Sequence, residues 1–133
     1  MSDPAKVDLG RLRKALEASW DAKTAYLGVT SAGNPALGQC YATARVVQQF
    51  VAESEIVDGE VRNGERAECH FWNVIERDGM LCHIDFTWQR FPAGSLIRSF
   101  RIRERATLGD SQQTIERVSL LHRRVDEYLA KHS

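Results

Sequence analysis

Three residues of this sequence, a cysteine, a histidine and an aspartate, have the side chains that thiol-dependent acyl chemistry requires. They are Cys40, His70 and Asp85. A thiol nucleophile needs a base that takes and returns a proton, and the base needs a carboxylate or amide that orients it and stabilises its cation. Each residue alone is more typical of a structural role, but the three together predict a catalytic triad.

Cys40 stands at the junction of a loop and a predicted helix. Residues 27–38 are rich in glycine and turn-forming residues, whereas Cys40, Ala44, Val47 and Val51 recur on one helical face. At a helix N-terminus, unpaired N–H groups and the positive end of the macrodipole favour a thiolate over a thiol. The pattern therefore predicts a nucleophilic cysteine at a helix N-terminus. A buried structural cysteine is the alternative interpretation.

His70 and Asp85 lie on two segments that the sequence joins in a β-hairpin. Asn-Gly and Asp-Gly turn dipeptides separate three short segments with strand character, which are residues 56–62, 67–76 and 80–88. With a two-residue turn at Asp78-Gly79, Trp72 lies opposite Asp85. His70 is then the diagonal neighbour of Asp85 on the same face, at roughly 7–8 Å. A turn one residue longer would place the two side chains on opposite faces.

Four further residues are candidates to support the triad. An oxyanion hole needs two donors near the thiolate, for which the sequence offers the cysteine backbone N–H and the side chain of Gln39 or Asn34. Trp72 is placed to cover the ion pair or to line an acyl pocket, and Thr87 to bond the histidine or the aspartate. The competing interpretations are local turn bonding for Asn34, core packing for Trp72 and strand preference for Thr87.

Two Cys-His dipeptides offer a zinc site as a rival to the triad. They are Cys69-His70 and Cys82-His83, and two cysteines with two histidines are a common ligand set. Neighbouring strand residues point to opposite faces, and the two cysteines lie roughly 13 Å or more apart along the predicted hairpin. We therefore expect no metal and no cofactor. Cys69 and Cys82 are interpreted as small apolar residues that fill space beneath the sheet.

Two helices and a further strand complete the predicted fold. Residues 9–20 place leucines on a helical stripe that faces the core. Residues 96–105 have the pattern of a fourth strand, with Phe100 and Ile102 inward and arginines outward. The run Asp110-Ser111-Gln112-Gln113 supplies an N-cap, with a glutamine three residues on, for a closing helix.

The chain has the length and composition of one globular domain. Its 133 residues, 43% hydrophobic and 27% charged, predict a single domain over residues 1–133, of the α+β class, with helices flanking an antiparallel sheet of three or four strands.

The 18 basic and 18 acidic residues balance, so the sequence predicts neither a nucleic-acid nor a membrane partner. With no apolar run of the ~18–20 residues that span a bilayer, and no signal-peptide pattern, a cytoplasmic location is expected.

The sequence resembles the YunG-like family of small bacterial proteins in three motifs. These are NPALGQC ending at Cys40, HFWN beginning at His70, and DFTWQRF beginning at Asp85. The order cysteine, histidine, aspartate also resembles the transglutaminase-like branch of papain-like cysteine enzymes. The resemblance implies a helix that carries the cysteine packed against an antiparallel sheet that bears the other two residues. The larger enzymes have extra elements that build a substrate cleft, so their substrates do not carry over.

The residues and the resemblance lead to one functional hypothesis and one alternative. We expect a thiol-dependent hydrolase or acyltransferase that acts on an amide, ester or thioester of a small-molecule or peptide substrate, with hydrolysis preferred over transfer. The alternative is a binding or interaction module that keeps the fold without turnover. The substrate itself, the oligomeric state and the pathway have no signal in the sequence.

Overall fold

A computed structural model describes residues 8–132 and has an α+β architecture, as the sequence predicts. It contains three α-helices and one antiparallel sheet of four strands in the spatial order β3-β2-β1-β4. The elements in chain order are α1 (Leu9–Ser19), α2 (Cys40–Phe50), β1 (Glu55–Asn63), β2 (Arg66–Arg77), β3 (Met80–Ile84), β4 (Leu96–Arg103) and α3 (Gln112–Lys131). None of the helices described is long and apolar enough to cross a membrane.

The main core lies between the three helices and one face of the sheet. Leu12 and Leu16 of α1 are fully buried there, which confirms the predicted stripe, although Leu9 at the start of the helix is 39% exposed. The other helices contribute Val46 and Val47 from α2 and a similar apolar stripe from α3. Burial of these side chains from water is the largest favourable contribution to folding and sets the helices on one face of the sheet only.

The hairpin of β2 and β3 has the predicted register. Arg77 pairs with Met80 across the two-residue turn, and the ladder runs on to Asn73 opposite Ile84. The predicted third strand extends to residue 88, but β3 ends at Ile84. The Asp85 side chain accepts a hydrogen bond from the Thr87 N–H, 3.1 Å away, and this Asx-type turn ends the strand. As a result, the part of β2 before Asn73 has no partner in β3.

The fourth strand forms as predicted, but its apolar residues are not inward. Phe100 is 47% exposed and Ile102 is 43% exposed. They pair with Gly59 and Val57 of β1, on the sheet face turned away from the helices. Since all three α-helices pack on the other face, this expectation was wrong: alternation along a strand identifies its apolar face but not which face the helices cover.

Two further expectations are corrected by the packing. Cys69 and Cys82 are exposed rather than buried beneath the sheet. Cys69 lies near the start of β2 and Cys82 on the edge strand β3, whereas the helix packed on the sheet, α2, lies mainly on β2. The N-cap of α3 is Ser111, whose Oγ accepts from the Thr114 N–H at 3.2 Å. The neighbouring Asp110 pairs with Arg45 of α2 instead, at 2.8 Å.

A glycine on β1 makes room for the largest side chain on the helix-free face. Gly59 lies opposite His70 in the ladder. A Cβ atom at Gly59 would lie 2.5 Å from Cη2 and 2.7 Å from Cζ3 of Trp72. The indole therefore lies across the backbone of β1 only because this position has no side chain.

We expect Gly59→Ala to destabilise the protein by about 1–3 kcal/mol, since the added methyl group overpacks a site where Trp72 cannot move away freely. Urea denaturation measures the change in the free energy of unfolding. Gly33→Ala is the matched control, because a Cβ there meets nothing within 4 Å. Equal unfolding free energies for the two variants would contradict this account of Gly59.

Candidate active site

His70 and Asp85 form a short hydrogen bond within the protein. His70 Nε2 lies 2.7 Å from Asp85 Oδ2, with the His70 side chain fully buried and that of Asp85 16% exposed. A carboxylate only accepts hydrogen bonds, so Nε2 is the donor and Nδ1 is the nitrogen left to act as a base. The other carboxylate oxygen, Oδ1, accepts from the Thr87 N–H at 3.1 Å and from the Thr87 hydroxyl at 3.3 Å. Thr87 thus bonds the aspartate, one of the two partners that the sequence suggested for it.

Aromatic side chains hold the imidazole ring on several sides. Trp72 stacks on the His70 ring with centroids 5.4 Å apart, while Phe91 and Trp88 meet it edge-on at 4.9 Å and 6.0 Å. The Trp72 Nε1–H donates to Nδ1 of His83 at 2.9 Å, which fixes the indole. Trp72 therefore covers the histidine rather than lining the cavity beside the cysteine. This packing limits the ring of His70 to one orientation.

The Cys40 thiol reaches the histidine at the open end of the β2 ladder. Cys40 is the first residue of α2, and its thiol interacts with the His70 ring and with the backbone N–H of Phe71. β2 has no β3 partner at this point, which leaves its edge free for the helix terminus. Nδ1 of His70 is buried and makes no aligned hydrogen bond in residues 8–132. The thiol and the ring are thus neighbours, with a geometry that substrate binding can tighten.

The surroundings of Cys40 favour its thiolate form. Burial favours the neutral thiol, but the polar interaction with the neighbouring His70 ring, the positive charges of His70 and Arg90 and the Phe71 N–H outweigh it and lower the pKa of Cys40. Arg90 lies close by because its guanidinium donates to the Cys69 carbonyl at 3.0 Å and stacks 4.1 Å from the Phe91 ring centroid. A nucleophile is therefore favoured at this position.

The surroundings of His70 favour its charged form in turn. Burial disfavours the imidazolium, but the hydrogen bond to Asp85, the polar interaction with Cys40 and the attraction of their charges outweigh it and raise the pKa of His70. The two opposite shifts have one cause, since each partner stabilises the charge of the other. The charged form of each group is therefore favoured by the presence of the other.

The two candidate oxyanion side chains have structural partners. Gln39 is fully buried; its Oε1 accepts from the Thr24 hydroxyl at 2.7 Å and its Nε2 donates to the Asp21 carbonyl at 3.0 Å. Asn34 donates from Nδ2 to the Arg90 carbonyl at 2.8 Å. Both amides therefore tie loops to the start of α2 and to the segment that carries Arg90. Their direct contribution to an oxyanion hole stays a prediction.

Two cavities open on opposite sides of these residues. The one beside the thiol, which we name the thiol-side cavity, has a volume of about 500 Å³; its walls include Cys40, Tyr41, Phe71, Arg90 and Arg117. The other, of about 750 Å³, lies on the helix-free face and includes Asp85 and Trp72 in its walls. The larger cavity reaches the carboxylate and not the sulfur. An acyl group that reacts with Cys40 would therefore enter through the thiol-side cavity.

Sequence reasoning missed three residues that complete the site. Arg90 stabilises the thiolate, Phe91 supports the imidazole, and Gly59 admits the indole that covers it. Arg90 and Phe91 stand in the motif that begins with the aspartate, which was the signal available for them. For Gly59, only the register of β1 against β2 reveals the need. No group of three or more potential metal ligands occurs among the residues described.

Comparison with known proteins identifies one family. The family model described as YunG protein matches residues 8–130, a range that contains all three residues of the candidate site. Neither the curated proteins nor the solved structures include a match. The family that the motifs predict is thus supported over nearly the whole chain.

We expect Asp85→Asn to lower the pKa of His70, because a neutral amide no longer offsets the burial of the imidazolium. NMR titration of the ring protons of His70 measures the shift. Asp126→Asn is the matched control, since Asp126 pairs with His122 at 3.3 Å on the surface of α3 and lies outside the site. An unchanged titration of His70 in Asp85→Asn would show that the 2.7 Å contact does not set its charge.

Proposed function

This chain belongs to the YunG family, and we propose that it is a cysteine-dependent enzyme that cleaves an amide, ester or thioester through a covalent acyl-enzyme. The proposal rests on one observation, the convergence of three side chains from distant parts of the chain. The His70 ring bonds Asp85 through Nε2 and interacts with the Cys40 thiol. Nucleophile, base and orienting carboxylate then stand in one connected line.

The first half of the proposed reaction forms the acyl-enzyme. The Cys40 thiolate donates an electron pair to the substrate carbonyl carbon, and the carbonyl π electrons move to oxygen. No side chain caps α2 at its N-terminus, so the N–H groups of the first turn are left to stabilise this oxyanion. When the carbonyl re-forms, the leaving amine, alcohol or thiol departs with a proton from Nδ1 of His70.

The second half releases the acyl group. Water gives a proton to Nδ1 of His70 as its oxygen attacks the acyl carbon, and the carbon–sulfur bond then breaks. The thiolate of Cys40 is restored and a carboxylic acid leaves. Asp85 stays ionised throughout and stabilises the imidazolium each time it forms. We propose hydrolysis rather than transfer, with water as the acceptor.

The proposal also places the fold with the papain-like and transglutaminase-like cysteine enzymes. Support comes from the order of the three residues along the chain and from the packing of α2, which carries the cysteine, on β2, which carries the histidine. In such an arrangement the helix supplies the nucleophile and the sheet supplies the base.

We expect Cys40 to react with iodoacetamide at pH values well below those needed by Cys69 and Cys82, because its pKa is lowered and only thiolates are alkylated. Peptide mass spectrometry follows each cysteine separately, so the two exposed cysteines are internal controls. In His70→Ala, burial is offset only by Arg90 and the Phe71 N–H, and the pKa of Cys40 rises. Its labelling rate at pH 6 then falls about tenfold for each unit of that rise, because only the thiolate is alkylated. Labelling of Cys40 that is unaffected by His70→Ala would contradict the pairing.

We expect incubation with activated esters such as p-nitrophenyl acetate to leave one acyl group on Cys40, detected by intact-protein mass spectrometry, with steady release of p-nitrophenol. Cys40→Ala removes both signals, because the acyl acceptor is gone. Cys82→Ala, which changes a cysteine outside the thiol-side cavity, is the control and retains them. Equal release by Cys40→Ala and the unmodified protein would overturn the enzymatic proposal and favour a binding module.

A further inference from the structure

The thiol-side cavity is positively charged. Arg90 and Arg117 both belong to its walls, and none of its lining residues is a carboxylate. In the proposed site the Cys40 thiolate, the His70 imidazolium and the Asp85 carboxylate sum to one negative charge. The guanidinium groups of Arg90 and Arg117 exceed it by one positive charge. A cavity lined by one sign of charge and bounded by low-dielectric walls concentrates ions of the opposite sign.

Arg117 is held in place by neutral partners. Its Nη2 donates to the Thr114 hydroxyl at 2.8 Å, and its Cζ lies 5.5 Å from the centroid of the Tyr26 ring. A guanidinium has five N–H donors, and the bond to Thr114 uses one of them. The group is thus oriented in advance while most of its donors are left for a ligand.

Several other arginines of the chain, unlike Arg117, form ion pairs with carboxylates. Arg101 and Arg103 pair with Asp58 at 3.4 Å and 3.3 Å, and Arg124 pairs with Asp21 at 3.0 Å. Within residues 8–132, Arg117 has no such ion pair. Its charge is therefore available to a molecule that enters the cavity.

The two arginines of the cavity have different neighbours. Arg90 is beside the sulfur, tied to the Cys69 carbonyl at 3.0 Å, and acts on the thiolate. Arg117 stands on α3, in a different wall of the same cavity. An acyl compound bound to Cys40 would thus share one cavity with both guanidinium groups.

We propose that Arg117 binds an anionic oxygen group of the substrate and so selects acyl compounds that carry a negative charge away from the scissile bond. This inference rests on the proposed function and names the substrate class for it. The chemistry is that of a guanidinium with a carboxylate or a phosphate, which it binds through paired N–H···O hydrogen bonds.

The test uses three alkylating probes, of which the first two have the same length and differ in charge. Iodoacetylglycine carries a carboxylate, and iodoacetylglycinamide carries a neutral amide in its place. N-(2-phosphoethyl)iodoacetamide adds a phosphate arm. In each reaction the sulfur forms a bond to the methylene carbon and iodide leaves. At each cysteine we divide the labelling rate of a charged probe by that of the neutral probe. The thiolate fraction is the same in both rates and cancels, so the ratio reports on the charge of the probe. Cys82, which lies outside the cavity, is the internal reference.

We expect the carboxylate or phosphate probe to label Cys40 about five- to tenfold faster than the amide probe. One charge-assisted hydrogen bond to a probe in a partly open cavity accounts for a rate difference of this size. Arg117→Gln lowers this ratio toward that of Cys82 and leaves only the contribution of Arg90, whereas Arg117→Lys retains more of it. Arg123→Gln, which removes an exposed arginine of the same helix outside the cavity, keeps the full ratio. A faster carboxylate probe identifies a carboxylate ligand, and a faster phosphate probe a phosphate.

Equal rates for charged and neutral probes at Cys40, or a ratio that survives Arg117→Gln, would overturn the inference. The proposed function fails in a different way, when Cys40 reacts no faster than Cys82 with any probe. The ratio at Cys40 still reports anion binding in that case. Raised salt concentration is expected to reduce the ratio, because screening weakens a contact between partly exposed charges.

Discussion

The hydrogen bond between the buried His70 and Asp85, 2.7 Å long, is the interaction on which the site depends. A fully buried imidazole tolerates a positive charge only beside a negative one. Asp85 supplies that charge, and through His70 it also influences the thiol of Cys40. Removing the carboxylate would leave burial with more influence on His70 and shift the imidazole toward its neutral form.

The bond exists because β3 is short. The chain turns at Asp85, one residue after the last paired residue of β3, and its side chain accepts from Thr87. The carboxylate lies against His70, three residues before the last paired residue of β2. The same turn leaves the edge of β2 open, and the start of α2 occupies that opening with Cys40. One local turn thus brings Asp85 to His70 and leaves the edge of β2 free for Cys40.

The sheet separates two environments around the histidine. On the helix-free side, Trp72 and its neighbours cover the ring, and Gly59 allows the indole to lie flat against β1. On the thiol side, the cavity is open and carries the charges of Arg90 and Arg117. Rigid packing on one side and a charged opening on the other are what the proposed role of His70 as a base requires.

The sequence by itself determined the helices, the hairpin register and the shared face of His70 and Asp85, because periodicity and turn chemistry are local properties. It also indicated the three motifs of the family. Only the tertiary structure decided that Gln39 and Asn34 hold loops, that Phe100 lies on the uncovered face, and that Arg117 of α3 shares a cavity with Cys40. Those outcomes depend on how elements distant in the chain pack together, and no pattern within a single segment carries that information.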